Sequence, residues 1–284
     1  MAITAYNAKY NDDVNTPDIN GLTPLDKNYL RVLFTPGRSV QSRELNQIQS
    51  LLQSQFDSVG RSLFKSNRPV VGGKPSFQRR LHIIEADINK GENELLNYWI
   101  NNTDLVELQL SQPGTNLRAV PIKIELISSN DVDVDSWRFY VNYNSSNINE
   151  SGENELVFRN SQIQLKNVVN NSSLDLNPTS LTKIGVAAQV EPGVFFTQGT
   201  FVKSEGQLTT AILRDEEIYY TGYVGFKVEE NTITSDDDET LLDNAAGSLN
   251  FAGIGADRYQ IKLTLVLFTP DELEEYNKTI GNFV

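Results

Sequence analysis

The sequence predicts a mainly β protein with one long N-terminal α-helix, α+β overall, its strands arranged in antiparallel sandwich- or barrel-like modules. Three observations carry this expectation. Apolar residues recur at three- and four-residue spacing between Ser39 and Val59, the period of a helix. From Ser76 onward the apolar period becomes two, the period of a strand with one buried face. Clusters of Asn, Ser, Gly and Pro then separate the alternating runs, as turns separate the strands of a sandwich or barrel.

In chain order, residues 1–27 are rich in Asn, Asp, Pro and Gly and short of periodic apolar positions. They read as an extended arm, ordered by whatever it lies against, with Tyr6 and Tyr10 as anchors. Pro36-Gly37 forms a turn that launches the helix. Leu45, Ile48, Leu51, Leu52, Phe56 and Val59 form a single helical stripe. Its burial is expected to contribute about 10 kcal/mol gross. Glu44 meets the positive end of the helix dipole, and Gly60 is placed for a left-handed C-terminal cap. The rest of the helix surface is amide-rich, with Gln41, Asn46, Gln47, Gln49, Gln53 and Gln55. Amides can meet a partner without the desolvation cost of charges.

The strand-rich region opens at Ser76. Phe77, Arg79, Leu81 and Ile83 share one face of a predicted strand. Val120, Ile122, Ile124 and Leu126 share a second, and Trp137, Phe139, Val141 and Tyr143 a third. Asn/Ser-rich turns are expected over Asn142–Gly152 and Asn167–Asn177. A second strand-rich region starts near Leu181. Glu191-Pro192-Gly193 has the residue order of a type II turn, followed by strands over Val194–Val202 and Ile218–Glu229, the latter with Tyr220, Val224, Phe226 and Val228 on one face. Tyr259, Ile261, Leu263, Leu265 and Leu267 form the clearest alternation. Thr269-Pro270-Asp271-Glu272 then predicts a capped helix from Pro270 to about Lys278. The sequence stops at Gly281-Asn282-Phe283-Val284 with no end signal, and a longer natural chain is expected.

Composition narrows the function classes. The 284 residues are 39% hydrophobic and 21% charged, ordinary globular proportions. Against 24 Lys and Arg stand 37 Asp and Glu, a formal charge of −13. That charge repels phosphate backbones and argues against nucleic acid as the main partner. The chain has no cysteine, which removes disulfides, thiolate metal sites and cysteine nucleophiles together. No basic-then-apolar leader opens the chain and no apolar run reaches the ~20 residues of a membrane span. A soluble protein made in a cytoplasm is expected, without membrane insertion.

No group of residues asks for catalytic, cofactor or metal chemistry. His82 is the single histidine and sits in a predicted strand, where a structural or surface role is expected. Asp236-Asp237-Asp238-Glu239 with Asp243 suggests a cation loop but lacks the alternating ligands and central Gly of an EF-hand. The simpler reading is Ser235 capping a short acidic helix start. Gly253-Ile254-Gly255-Ala256-Asp257-Arg258 precedes a strand, the wrong order for a dinucleotide loop. Gly72-Gly73-Lys74 lacks P-loop spacing. Trp99, Trp137, Tyr140 and Tyr143 could stack on sugars, although core roles are expected for strand aromatics.

Two segments carry a family resemblance. Asn28-Tyr29-Leu30-Arg31-Val32-Leu33-Phe34-Thr35-Pro36-Gly37-Arg38, followed by Val40-Gln41-Ser42-Arg43-Glu44-Leu45-Asn46-Gln47-Ile48-Gln49, resembles the opening of a structural-protein family of tailed phages, catalogued as a domain of unknown function. Leu241-Leu242-Asp243, Gly247-Ser248, Asn250-Phe251 and Gly255-Ala256-Asp257-Arg258 resemble its C-terminal motif. Val194–Val202 is similar to a linking strand between them. The resemblance departs at Ser42, Asn244 and Ile254. It covers roughly residues 1–74 and 181–284. These are expected to be a docking arm with helix and a C-terminal β-domain, while 75–180 reads as an inserted β-module.

The resemblance implies a virion component of a contractile tail, in the baseplate wedge or at a tail-fibre attachment, synthesised in the host cytoplasm. It implies tail, baseplate or tail-fibre proteins as partners and a homo-oligomer, dimer or trimer. The interface is expected at Arg38, Gln41, Arg43, Glu44, Gln47, Gln49 and Gln53, with structural turns at Pro36, Gly37, Gly60, Gly72 and Gly73. Arg31, Arg38 and Arg43 with Glu44 are expected to fix the turn-to-helix geometry. An alternative is a glycan-binding receptor module at 75–180, whose main support is exposed Trp99 and Trp137. A virion-borne hydrolase would need a pocket of converging carboxylates.

Overall fold

The computed structural model describes residues 27–65, 67–129, 134–145, 147–148, 154–155, 157–158, 162–213, 220–247 and 249–279. The expected arm with Tyr6 and Tyr10, the start of the Ile218 strand and the final Gly281–Val284 lie outside them. The chain is mainly β with a few helices, the α+β class expected, and divides into two compact units. The first comprises 1–76, 189–209 and 222–284, and the second 77–188 and 210–221.

The second unit is built on a closed sheet. Strands β2 (Pro75–Asn89), β3 (Leu108–Ser111), β4 (Arg118–Ser129), β5 (Val134–Tyr143), β8 (Ile163–Asn167) and β9 (Ser173–Val190) follow one another as β9-β2-β5-β4-β3-β8. The β8–β9 pairing closes the ring into a barrel. β6 (Asn147–Ile148) and β7 (Asn154–Glu155) form a separate short ribbon. The barrel core holds Ile84, Ala86, Ile88, Trp137, Phe139, Val141, Leu165 and Leu176. β9 runs unbroken past the expected boundary at 180/181.

Of two predicted strand faces, the one in β2 holds and the one in β4 is corrected. In β2 the barrel is filled by Ile84, Ala86 and Ile88. Leu81 and Ile83 are buried on the other side, where Ile83 approaches Gly185. Phe77 shares their face, as expected, but is exposed. In β4 the register shifts at Pro121/Lys123 and again at Leu126/Ser128. Ala119 and Pro121 are buried and Leu126 is exposed. Proline has no N–H for the ladder, so a mid-strand Pro sits at an irregularity and turns the faces over.

A helix absent from the sequence reading, α2 (Lys90–Asn102), follows β2 and places Leu96 and Trp99 in this core. The expected turn at Asn167 is shorter than its Asn/Ser content suggested. Asn167 Oδ1 accepts from the N–H groups of Val169 and Asn170, and strand geometry resumes at Ser173.

The first unit contains α1 (Ser42–Leu63), the sheet β1-β10-β11 (Arg68–Gly72, Gly193–Thr197, Thr200–Ser204), the ribbon β13–β14 (Tyr223–Ile233 with Arg258–Phe268) and α3 (Pro270–Thr279). β14 is the strand the Tyr259–Leu267 alternation predicted, with Leu263 and Leu265 buried beside Phe195, Phe226 and Val228. α3 starts where expected. Thr269 Oγ1 accepts from the Glu272 N–H, and Glu272 Oε2 accepts from the Thr269 N–H at 2.8 Å, a reciprocal capping box.

β12 (Gln207–Ile212) continues from β9 by pairing with it. The expected single strand over Val194–Val202 is a hairpin. Gln198 and Gly199 both have positive φ (48° and 78°), the signature of a two-residue type I′ turn. Gly193 is not a type II turn residue, since its φ is not positive. It lies at a crossing where an added Cβ would come within 2.4 Å of the Gly73 nitrogen.

Candidate functional site

The turn before α1 forms as its residues dictate. The Arg38 N–H donates to the Thr35 carbonyl at 3.2 Å across Pro36-Gly37, and Gly37 has φ +80°, a type II turn. Glu44 Oε2 accepts from the Gln41 N–H at 3.0 Å, so the first-turn carboxylate caps the helix start. Gly60 corrects the expectation of a C-terminal cap. It lies inside α1, which ends at Leu63 with Phe64 as its cap.

Which way α1 faces is the main correction. Its buried residues are Ser50, Leu51, Asp57 and Gly60. Of the six apolar residues expected to be buried, only Leu51 is, while Leu45 (50%), Leu52 (51%), Phe56 (65%) and Val59 (55%) are exposed, as is Leu63 (70%). The helix therefore turns small and polar residues toward the body of its own unit. The cause lies at positions where only a thin or polar helix surface fits. An added Cβ at Gly60 would stand 2.4 Å from the Phe196 ring, and one at Gly199 would stand 2.6 Å from Asp57 Oδ1. Asp57 is compensated in place by Arg61, whose Nε donates to Oδ1 at 2.7 Å, as a buried carboxylate requires.

The amide face borders a cleft of about 590 Å³ lined by Asn46, Gln49, Ser50 and Gln53 from α1, Thr200, Thr232 and residues 256–259. This brings the two resemblance-bearing segments onto one concave surface. Arg258 Nη1 donates to the Ala256 carbonyl at 2.6 Å, and Tyr259 Oη donates to Glu230 Oε2 at 2.8 Å. The α1 lining is amide and hydroxyl, suited to hydrogen-bonding polypeptide. Of the interface residues expected from sequence, Gln49 and Gln53 line this cleft. Gln47, Arg43 and Glu44 are half-buried, and Arg38 and Gln41 are exposed at the helix entry. Gly72 and Gly73 both have positive φ, and a Cβ on Gly72 would stand 2.4 Å from the Pro192 carbonyl.

The acidic run acts locally. Asp237 accepts from the N–H and hydroxyl of Thr234, and Asp238 from the N–H and hydroxyl of Thr240. Those bonds hold both carboxyls below their ordinary value. Thr234 and Asp238, not Ser235, organise the turn. Among the described residues no three His, Asp or Glu stand close enough to hold a metal ion. No described helix is long and apolar enough to cross a membrane.

In the barrel unit two carboxylates do converge, on Arg138. Its Nη2 donates to Glu85 Oε1 at 2.8 Å and its Nη1 to Glu125 Oε1 at 3.0 Å. Lys183 reaches Glu85 Oε2 at 2.6 Å, and Tyr140 Oη donates to Glu125 Oε1 at 2.6 Å. Burial pushes both glutamates up, but hydrogen bonds from Lys183 and Arg138 to Glu85, and from Lys123 (2.7 Å), Tyr140 and Arg138 to Glu125, outweigh it and leave both below the ordinary 4.5. Two carboxylates held ionised by shared cations form a salt-bridge lattice, whereas a general acid needs the opposite shift.

Trp99 is fully buried and Trp137 is 5% exposed; Trp137 Nε1 donates to Asn93 Oδ1 at 2.9 Å. Neither offers a face to a sugar. His82 is half-buried, its ring 5.2 Å edge-on from Tyr143. Burial, then the charge of Arg80, lowers its pKa. Comparison with protein-family models, with curated proteins and with solved structures found no match.

Proposed function

We propose that this chain is a structural subunit of a bacteriophage tail, placed in the baseplate or at a tail-fibre attachment and acting by protein–protein assembly. The observation that carries this reading is the outward apolar stripe of α1. A 22-residue helix that turns its polar face to its own body and five large apolar side chains to solvent is built to be covered by other polypeptide. The resemblance of 28–49 and 241–265 to a tail structural family supplies the setting. A second exposed apolar group, Leu249, Phe251 and Ile254 in the loop before β14, supports more than one contact per subunit.

The glycan-binding alternative loses its main support, because both tryptophans are buried. The test is mass spectrometry and immunogold labelling of purified particles of the phage that carries this gene. Peptides of the chain in the particle, with label at the distal end of the tail, are expected. Its absence from mature particles would overturn the reading.

A further inference from the structure

We infer that α1 pairs with α1 of a second copy of this chain as a parallel, in-register coiled coil. The inference rests on the assembly reading above and names the partner of that site. The exposed apolar residues Leu45, Leu52, Phe56, Val59 and Leu63 are separated by seven, four, three and four positions. At ~100° per residue they fall within a band of about 60°, opposite the buried Ser50 and Asp57. A stripe that narrow with a 3–4 alternation is a coiled-coil seam, whereas docking onto a sheet uses a broader face. Leu45, Leu52 and Val59 occupy one core position of the heptad. Gln49, Phe56 and Leu63 occupy the other.

Charge selects a second copy as the occupant. The positions flanking the seam are Asn46, Gln53 and Gly60 on one side and Ile48, Gln55 and Ser62 on the other. None is charged, although the chain carries a formal charge of −13. Hetero-specific coiled coils use opposite charges at these flanks, and like charges there would drive identical helices apart. A charge-free flank on an acidic chain removes the penalty for self-pairing. The four helix charges lie off the seam: Asp57 and Arg61 pair with each other, Glu44 caps the N-terminus, and Arg43 lies beside it in the first turn.

Gln49 sets the direction. In a parallel, in-register pair the two Gln49 side chains meet at the same level, and their amides hydrogen-bond one another. An antiparallel pair centred on Ser54, with Leu52 opposite Phe56, would bury each amide against Val59 with no partner, which is unfavourable. At ~1.5 Å per residue the helix spans about 33 Å, three heptads.

The chain lacks cysteine, so a single introduced thiol reports pairing directly. The experiment uses the full chain, with Leu52→Cys as the seam probe and Ser58→Cys, exposed and off the seam, as the control. Under mild oxidation Leu52→Cys is expected to convert mostly to a covalent dimer and Ser58→Cys to stay uncrosslinked. By light scattering, wild type at tens of micromolar should have twice the 31.8 kDa chain mass. Leu52→Asp/Phe56→Asp should return it to one chain mass with an unchanged circular dichroism spectrum. A wild-type monomer, equal crosslinking of both thiols, or an oligomer indifferent to the double substitution would overturn the inference. A monomer that is found in phage particles sinks the coiled coil and leaves the assembly reading standing. A seam-dependent oligomer absent from particles does the reverse.

Discussion

Gly60 lies against the Phe196 ring so closely that a Cβ at residue 60 would stand 2.4 Å from both Cε2 and Cζ. Phe196 is 1% exposed and is held by Phe64 and Phe201 at ring separations of 6.2 and 5.2 Å, so it has little room to retreat. Gly60→Ala gains about 1 kcal/mol of helix propensity. Overpacking outweighs it, for an expected net loss of about 1–2 kcal/mol. Urea denaturation should show the loss, and Phe196→Leu in the same background should recover part of it, since the two positions touch.

Gln207 ties β14 to its neighbourhood with both ends of one amide. Its Nε2 donates to the Leu263 carbonyl at 2.7 Å and its Oε1 accepts from the Leu265 N–H at 2.8 Å. Gln207→Leu is expected to cost about 1–3 kcal/mol through the two backbone groups left unpaired. Hydrogen exchange at the Leu265 amide should accelerate more than at neighbouring β14 amides. Equal acceleration along the whole strand would indicate global destabilisation and contradict the local account.

Glu85 and Glu125, held by Lys183, Lys123 and the Arg138 they share, make barrel stability acid-sensitive. Glu85 and Glu125 are held below their ordinary value, so the folded state keeps them ionised where the unfolded chain begins to bind protons. Their contribution is fully present above about pH 5.5 and is lost as pH falls through 4.5 and then through the lowered folded values. Arg138→Met is expected to cost about 2 kcal/mol at neutral pH. It should also lessen the fall in stability between roughly pH 3 and 5 without abolishing it, because Lys183 and Lys123 still hold the two carboxylates. A parallel downward shift with unchanged pH dependence would contradict the linkage.

Tyr143 behaves oppositely at the alkaline end. Burial raises its pKa, partly offset by the Phe158 N–H that donates to its Oη at 3.0 Å. A raised folded pKa means its contribution is complete below the ordinary value of 10 and declines as pH rises through the folded value. Tyr143→Phe should cost about 1 kcal/mol by denaturation at neutral pH. In a spectrophotometric titration it should remove one tyrosine from the late-ionising group.

Thr269→Ala removes the hydroxyl of the α3 capping box and is expected to cost about 1 kcal/mol. The helix carries Tyr276, whose Oη accepts from the buried Val228 N–H at 3.2 Å. Fraying should therefore appear as faster exchange at Val228, some forty residues away in sequence.

The sequence by itself determined the elements whose signals are local. Pro36-Gly37, the Thr269 cap and the Tyr259–Leu267 alternation each specify their structure within a few residues, because φ restrictions, capping bonds and strand pleating need no distant partner. The β-rich class was legible for the same reason. Only the tertiary structure decided which face of each element points inward. An amphipathic pattern says that one stripe will be covered, not by what. In α1 the space beside Phe196 and the Gly199 turn admits only Gly60 and an Arg61-neutralised Asp57, so the polar face docks and Leu45, Leu52, Phe56 and Val59 are left outside. In β4 the missing N–H of Pro121 moved the register and with it the buried set. In α2 the apolar residues Leu95, Leu96, Tyr98, Trp99 and Ile100 are crowded into one run that shows no clear period, and burial of Leu96 and Trp99 in the barrel core stabilises what the pattern does not announce.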